Sequence, residues 1–247
     1  MSAKGLTREV IVSEAVACME HTGQPTVSLH ELARRLGVKP PSLYNHIQNT
    51  RQLQREVFRY AIDKFVSHQE EAVAGKERDQ AVRAFAQAYH AFAVENKGLY
   101  RLIMSIPSQE DDQAKELALP LLKTAVEVLS SYGLPQKRVA HWQRVFRAIL
   151  HGFIAQEDLG YFYYYDTTDV EESRDIAIQC FLDGLHAEVD AGEKNRAGER
   201  NHDEESRTLY HHAGGEGGGQ AGHSHRGQPD HCDSVQLGGY LFHRTDW

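Results

Sequence analysis

The segment GVKPPSLYNHI, residues 37–47, carries side chains that can form specific hydrogen bonds with another molecule. Its polar side chains include those of Ser42, Asn45 and His46. Leu43 and Ile47 have the spacing of neighbours on one helix face, so we expect both to point inward. Hydroxyl and amide groups on the opposite face can bond to base edges in the major groove of DNA. The segment therefore predicts a short DNA-reading helix.

Two adjacent prolines, Pro40 and Pro41, stand where this helix begins. The first amides of a helix have no internal acceptor, and proline removes such a donor while its fixed φ suits a helix start. The residue before a proline avoids the helical region, which places the boundary at Lys39. Because the prolines remove backbone N–H donors at the helix start, side chains must make more of the contacts to DNA phosphates. Those side chains are Lys39, Ser42, Tyr44 and His46.

Two further helices must precede this segment and hold it in place. Thr7 can cap a first helix, which Gly23 ends. Ser28 and Glu31 have the spacing of a capping box at the start of a second helix, and Gly37 breaks that helix. Two short helices joined by a tight glycine turn are the helix-turn-helix pattern.

The sequence SLHELARRLGVKPPSLYNHIQNTRQLQREVF, residues 28–58, resembles the DNA-binding head of the tetracycline-repressor (TetR) family. The shared pattern is S-x-x-x-L-A-x-x-L-G-V, then S-L-Y-x-H and a polar turn before Leu. The family commonly has Ser or Thr at Lys39 and Lys at Thr50; Thr50 can cap the fourth helix, and Arg51 can replace the charge. The resemblance implies a DNA-binding domain over residues 4–64. Its expected DNA contacts are Ser28, Lys39, Pro41, Ser42, Tyr44, Asn45, His46, Thr50 and Arg51.

The distribution of charge fits such a head. Residues 1–60 hold eight Lys or Arg and five acidic residues, a net charge of +3, which leaves −11 for the rest of a chain with −8 overall. A basic head on an acidic body favours a small DNA-binding module with a separate regulatory domain, although ordinary charge scatter would look similar.

The sequence has no stretch of about 18 apolar residues and no signal-peptide core, so we expect a cytoplasmic protein without a membrane span. The three cysteines are far apart, which indicates reduced thiols.

The remainder of the chain predicts an all-α body. Apolar residues recur with helical spacing and no strand pattern competes. The segment FRAILHGFIAQEDLGYF, residues 146–162, is similar to one TetR subgroup that carries HGF in its eighth helix. The resemblance covers residues 6–189 and implies a regulatory and dimerisation domain over 65–189, whose last two long helices pair with their copies in a homodimer. The expected interface is an apolar face, with internal packing as the alternative. This face comprises Ile178, Phe181, Leu182 and Leu185, with Ile176 beside them.

Aromatic residues at helical spacing in the body could line a ligand cavity or form plain core. The candidates are Phe85, Tyr89, Phe92, Tyr100, Met104, Trp142, Phe146, His151 and Phe153. The family's pocket lies among these helices, so the resemblance implies a small-molecule effector. His151 beside Gly152 could line the pocket or pack between helices. We therefore expect a homodimeric repressor that a small molecule releases from a near-palindromic DNA operator.

From residue 190 the composition changes, with 11 of the 20 glycines and seven of the 15 histidines in residues 190–247. Such a segment is expected to be disordered. A metal-responsive regulator is the alternative function, but ordering ligands in glycine-rich chain is costly, so we predict no metal site and no cofactor. Its ligands would be His211, His212, His223, His225, His231 and Cys232. The sequence has no GxSxG, Walker, GxGxxG or HExxH motif, so an enzyme is not expected.

Overall fold

The computed structural model describes residues 5–105, 116–164 and 168–213, with side chains as far as Lys194. Regular structure in these ranges is helical, without a strand, which confirms the all-α prediction. The chain divides into two compact units after Ala197, and the core belongs to the first unit. The elements are α1 (Arg8–Thr22), α2 (Leu29–Leu36), α3 (Pro40–Leu43), α4 (Thr50–Val73), α5 (Arg78–Glu95), α6 (Lys97–Ser105), α7 (Pro120–Ser130), α8 (Gln136–Asp158), a 3₁₀ turn (Tyr161–Tyr164) and α9 (Val170–Ala213).

Helix α4 belongs to both the head and the body. Its first half buries Leu53 and Val57 in contact with α1, and its second half buries Phe65 among the helices of the body. The Phe65 ring lies 5.1 Å from Tyr89 and 4.9 Å from Phe92, both on α5. Because one continuous helix carries both sets of contacts, a shift of α4 in the body also moves the head.

A second contact joins head and body where α1 ends against α6. Gly98 packs on the backbone of Met19 so closely that a Cβ at Gly98 would lie 2.4 Å from the Met19 carbonyl oxygen. The Leu99 amide donates to Glu20 Oε1 at 3.2 Å, and burial raises the pKa of the Glu20 carboxyl. Arg101 donates from Nη1 to the Gly23 carbonyl at 2.6 Å and from Nη2 to Asp158 Oδ2 at 2.5 Å. Arg101 therefore connects the end of α1 with the end of α8.

The last helix is longer than the sequence predicted. We expected disorder from residue 190, but α9 continues to Ala213. The segment 190–213 is rich in Ala, Glu, Lys and Arg, which favour helix, and the glycines concentrate after it. His211 and His212 lie at the end of this helix, whereas His223, His225, His231 and Cys232 lie outside the described residues.

Candidate nucleic-acid interface

The helices of the head end and begin as their sequence signals indicate. Thr7 accepts a hydrogen bond from the Val10 amide at 3.3 Å and caps α1, while Ser28 Oγ accepts from the Glu31 amide at 3.1 Å and caps α2. Gly37 ends α2 in the left-handed conformation at φ 66°. The Glu31 carboxylate binds Arg34 at 2.6 and 2.8 Å, so it does not complete the capping box in the predicted way. These local bonds fix the turn that leads into α3.

Helix α3 is a single turn, although the sequence predicted helix over 40–47. The α-helix covers Pro40–Leu43, and residues 44–46 continue as turns. Pro40 and Pro41 occupy its first two positions, and Lys39 provides no side-chain cap, as expected. The Tyr44 amide bonds to the Pro41 carbonyl at 3.2 Å, and the Ile47 amide to the Leu43 carbonyl at 3.0 Å. Backbone hydrogen bonds therefore continue past the end of α3 as far as Ile47.

The inward and outward faces of this segment match the prediction. Leu43 and Ile47 are buried, with exposed fractions of 0% and 1%. Tyr44 is 55% exposed. All nine predicted DNA contacts are accessible: Ser28, Lys39, Pro41, Tyr44, Asn45, Thr50 and Arg51 are exposed, and Ser42 and His46 are half-buried. Accessible hydroxyl, amide and basic side chains of this kind can meet a DNA groove.

The start of α4 differs in one detail from the sequence interpretation. Asn49, not Thr50, caps the helix, because Asn49 Oδ1 accepts from the Gln52 amide at 2.9 Å. Thr50 is the first helical residue and is exposed. Asn is as strong an N-cap as Ser, so this signal was present in the sequence. Thr50 is thereby left accessible to another molecule.

Several basic side chains of the head are already paired with acids. Arg8 pairs with Glu56, and Arg35 donates to Glu14 at 2.5 Å. Lys39 and Arg51, by contrast, form no ion pair with any acid among the described residues. Their charges are therefore available to phosphate groups.

The predicted pocket residues separate into two groups. Four buried aromatic side chains form a chain of ring contacts: Phe146, Phe85, Tyr89 and Tyr100. The buried Phe92 joins them through Phe65, whose ring contacts both Phe92 and Tyr89. Met104, Trp142 and Phe153 are half-buried, and His151 is exposed. Tyr100 OH lies 2.8 Å from His151 Nδ1, and partial burial of this exposed residue's ring, together with the charge of Arg147, lowers the pKa of that imidazole. The structure thus brings most of the set together as a packed cluster with His151 at its edge.

Two polar atoms in this part of the core have no hydrogen-bond partner among the described residues. They are Tyr89 OH and Gln143 Nε2, on side chains that are 2% and 6% exposed. Burial also raises the pKa of the Tyr89 hydroxyl, and the side chains of Tyr100 and Arg147, which lie near it beyond ordinary hydrogen-bond geometry, oppose that rise. A buried donor without an acceptor costs about 1–3 kcal/mol, so both atoms would gain from a polar ligand or water.

The four predicted dimer residues lie inside the single chain, which contradicts their assignment to an interface. Leu182 and Leu185 are both 0% exposed, and Ile178 and Phe181 are each 3% exposed. The Phe181 ring stacks on Phe146 at 4.7 Å. The broad apolar face of α9 is therefore used to pack against the chain's own α5 and α8, the alternative that the sequence left open.

Each of these two helices also has exposed positions with apolar or small residues. Val145 on α8 is 45% exposed, and Ile176 on α9 is 57% exposed. Small side chains accompany them at helical spacing: Ala148 and Gly152 on α8, and Cys180 and Ala187 on α9. We call these six residues the outer α8–α9 face.

A tight turn at Gly37 joins two short helices, α2 and α3, and the second of them is exposed. Together with the all-α body, this arrangement defines a helix-turn-helix DNA-binding regulator. Residues 82–181 match the family model described as tetracyclin repressor-like, C-terminal domain. The chain is 34% identical over 156 residues to an uncharacterised HTH-type transcriptional regulator of Mycobacterium tuberculosis, covering 63% of this chain and 72% of that protein. It is 30% identical over 184 residues to YobS, an uncharacterised HTH-type transcriptional regulator of Bacillus subtilis, covering 73% and 93%. The chain belongs to the TetR family.

A solved structure agrees with this fold. ActR of Streptomyces coelicolor in complex with (S)-DNPA superposes with a TM-score of 0.53 at 16% identity, covering 74% of this chain and 98% of ActR. Within the described ranges, no helix is both long and apolar enough to cross a bilayer. The same ranges hold no group of three or more His, Cys, Asp or Glu side chains placed to bind a metal ion.

Proposed function

We propose that this regulator is a homodimeric repressor that a small molecule releases from a near-palindromic operator. The observation that carries the proposal is the accessible surface of α3 and its following turn, held on the core by Leu43 and Ile47. The head would comprise residues 4–64 and the regulatory body 65–189, within the HGF-containing subgroup. In this arrangement α4 connects the two parts.

We assign different roles to the side chains of the reading surface. Ser42 and Asn45 would lie at base edges, since a carboxamide can bond to adenine through two atoms. Lys39, Tyr44, His46, Thr50 and Arg51 would contact phosphates, with Ser28 at the margin. Pro41 would pack against the groove wall.

Replacing Asn45 with alanine should relax operator specificity at one or two base pairs, at a cost of about 1–3 kcal/mol there. Tyr44→Phe removes only a hydroxyl from a phosphate contact and should weaken binding to all sequences alike. The measurement is selection from a random duplex library, followed by affinity titration against single-base variants. Gln24→Ala, at an exposed residue between α1 and α2, is the control. An unchanged selected sequence for Asn45→Ala would contradict the assignment.

The outer α8–α9 face supports the homodimer. Val145 and Ile176 are large apolar side chains in water, and their small neighbours would allow two helix pairs to approach closely. A twofold dimer presents its heads symmetrically, as a near-palindrome requires.

Ile176→Glu should dissociate the dimer without unfolding the chain, because the charge would be buried only when a partner is present. Val94→Glu is the matched control, since Val94 is 48% exposed on α5. Sedimentation at micromolar concentration should give a dimer for the wild type and Val94→Glu, and a monomer for Ile176→Glu. A monomeric wild type, or two dimeric variants, would refute this interface.

Ligand response is supported by the unpartnered Tyr89 OH and Gln143 Nε2 and by the contacts that join body to head. ActR, with the same fold, has been solved with a bound small molecule. A ligand that favours one position of α4 and α6 would change the spacing of the two heads, and its effect on DNA affinity would follow from that difference. The histidines at 211 and 212 provide no comparable observation for metal sensing.

A further inference from the structure

A cluster of charged side chains joins α5, α8 and α9. His90 Nε2 lies 2.7 Å from Glu157 Oε2 and 2.9 Å from Arg174 Nη1. The side chains of His90 and Arg174 are each 17% exposed. Arg174 Nη2 also lies 3.7 Å from Glu171, whose side chain is 71% exposed, so that ion pair contributes little.

One nitrogen atom of His90 faces two partners with opposite requirements. If Nε2 carries a proton, it donates to Glu157, but it then meets an Arg174 N–H group, which is also a donor. If Nε2 carries no proton, it accepts from Arg174, but its lone pair then faces the Glu157 carboxylate. In each state one contact is unfavourable, and a mostly buried polar group without a suitable partner is costly.

An apolar slot lies beside this cluster. It is lined by His90 and Arg174 together with the apolar residues Ile149, Leu150, Phe153, Ile154, Ala177 and Ile178. In this conformation the slot has room for about one water molecule. The Phe153 ring lies 4.7 Å from Phe162 of the 3₁₀ turn, so a ligand larger than water would have to displace these two rings.

We propose that this slot binds a small organic acid, with its carboxylate on Arg174 and its hydrocarbon part among the apolar walls. The acid would accept from the guanidinium, and His90 Nε2 would then donate to Glu157 without conflict. The proposal rests on the ligand response proposed above and names the class of effector. A metal cation is disfavoured by the adjacent guanidinium, and a neutral ligand would offer that guanidinium a weaker acceptor than a carboxylate does.

The site also has a contact route to the DNA-binding head. Glu157 precedes Asp158, which accepts from Arg101 Nη2, and Arg101 Nη1 holds the carbonyl of Gly23 at the end of α1. A change in the position of Glu157 at the end of α8 can therefore reach α1 through two hydrogen bonds.

The test is calorimetric titration of the full-length protein with straight-chain carboxylates from butanoate to decanoate and with benzoate. Each acid is paired with its primary amide, which has the same shape without the charge. We expect saturable binding of at least one acid and at least about tenfold weaker binding of its amide. Failure of every acid to bind, or equal binding of acid and amide, would overturn the proposal.

Arg174→Gln should weaken binding of that acid about tenfold or more, because it removes the charged guanidinium, whose paired N–H groups can bind both carboxylate oxygens. Arg144→Gln, at an exposed arginine on α8, is the matched control and should bind as the wild type does. If Arg174→Gln does not fold, Arg174→Lys is measured instead. The lysine ammonium keeps the charge but cannot bind both carboxylate oxygens as a guanidinium does, so affinity for the acid should fall about fivefold. Wild-type affinity in a folded Arg174 variant would overturn the proposal.

His90→Gln tests the conflict itself. A carboxamide can accept from Arg174 through its oxygen and donate to Glu157 through its nitrogen. The ligand-free variant should therefore melt about 2–4 °C higher than the wild type, the shift expected for about 1 kcal/mol in a chain of this size. An unchanged or lower melting temperature would contradict the conflict at Nε2 and with it the reason for an acidic ligand.

A second measurement separates this site from the proposed function. Operator affinity, on a duplex taken from the library selection, is measured with and without the acid that binds. If the acid binds through Arg174 but operator affinity does not change, the site stands and the ligand-controlled repressor fails. If no acid binds while another small molecule releases the operator, the repressor stands and this site is wrong.

Discussion

Leu182→Glu is expected to unfold the regulatory body rather than merely separate two subunits. Leu182 is 0% exposed within one chain, and its neighbours Phe181 and Leu185 are buried with it. A carboxylate there would have no partner in an apolar environment, which costs about 3–5 kcal/mol. Urea denaturation of the purified variant, followed by far-UV circular dichroism, should show a large loss in the free energy of unfolding or no folded protein.

Ile176→Glu, six residues earlier on the same helix, is the control for Leu182→Glu. Ile176 is 57% exposed, so the same substitution leaves the chain's own core intact. The two variants should therefore differ sharply in stability. If Leu182→Glu unfolded at the wild-type urea concentration and ran as a monomer, the interface role predicted from the sequence would be restored.

Gly98→Ala is expected to separate α6 from α1. Its Cβ would lie 2.4 Å from the Met19 carbonyl oxygen and 2.5 Å from the Met19 carbonyl carbon. Both are backbone atoms of a helix, so the helices must move apart, which should cost about 1–3 kcal/mol as other overpacked contacts do. Thermal melting should show the loss, and operator titration should show altered control of the head.

Gly152→Ala is the matched control, because among the described residues no atom outside the adjoining backbone of α8 lies within 4 Å of the added methyl group. Alanine in place of glycine within a helix otherwise stabilises by up to about 1 kcal/mol. Gly152 belongs to the outer α8–α9 face, so its added methyl group could clash with a partner in the proposed dimer. The melting temperature is therefore compared at two protein concentrations, because only an effect on the dimer depends on concentration. Equal stability of the two variants would mean that α1 and α6 can move apart at Gly98 with little loss in the free energy of unfolding.

The head could be predicted closely because its signals are local. Ser28 caps α2 within three residues, and Gly37 takes the left-handed conformation that L side chains rarely adopt. Leu43 and Ile47 follow from helical spacing alone. The cap of α4 was misassigned to Thr50 because two adjacent residues, Asn49 and Thr50, both have capping chemistry, and only the geometry selects one.

The body was less predictable because the burial and contacts of its residues depend on residues far away in the sequence. Ile176 and Ile178 are the same residue type two positions apart, yet one is 57% exposed and the other 3%. The apolar face of α9 could be identified from its own residues, but whether that face packs on the chain's own α5 and α8 or on a partner is not encoded in α9. The cluster at His90 was missed for the same reason: Glu157 is 67 residues away in sequence and Arg174 is 84 residues away.

The single turn of α3 has a consequence for the entropy of DNA binding. Isolated helices below about 12 residues are marginal in water, so the peptide 37–47 should have no fixed shape by itself. In the protein, Leu43 and Ile47 anchor both sides of the turn in the core. The residues to which we assign DNA reading therefore lose most of their backbone freedom when the head folds, before DNA arrives. Recognition by this surface should depend on a preorganised scaffold, and cutting the motif from its core should abolish it.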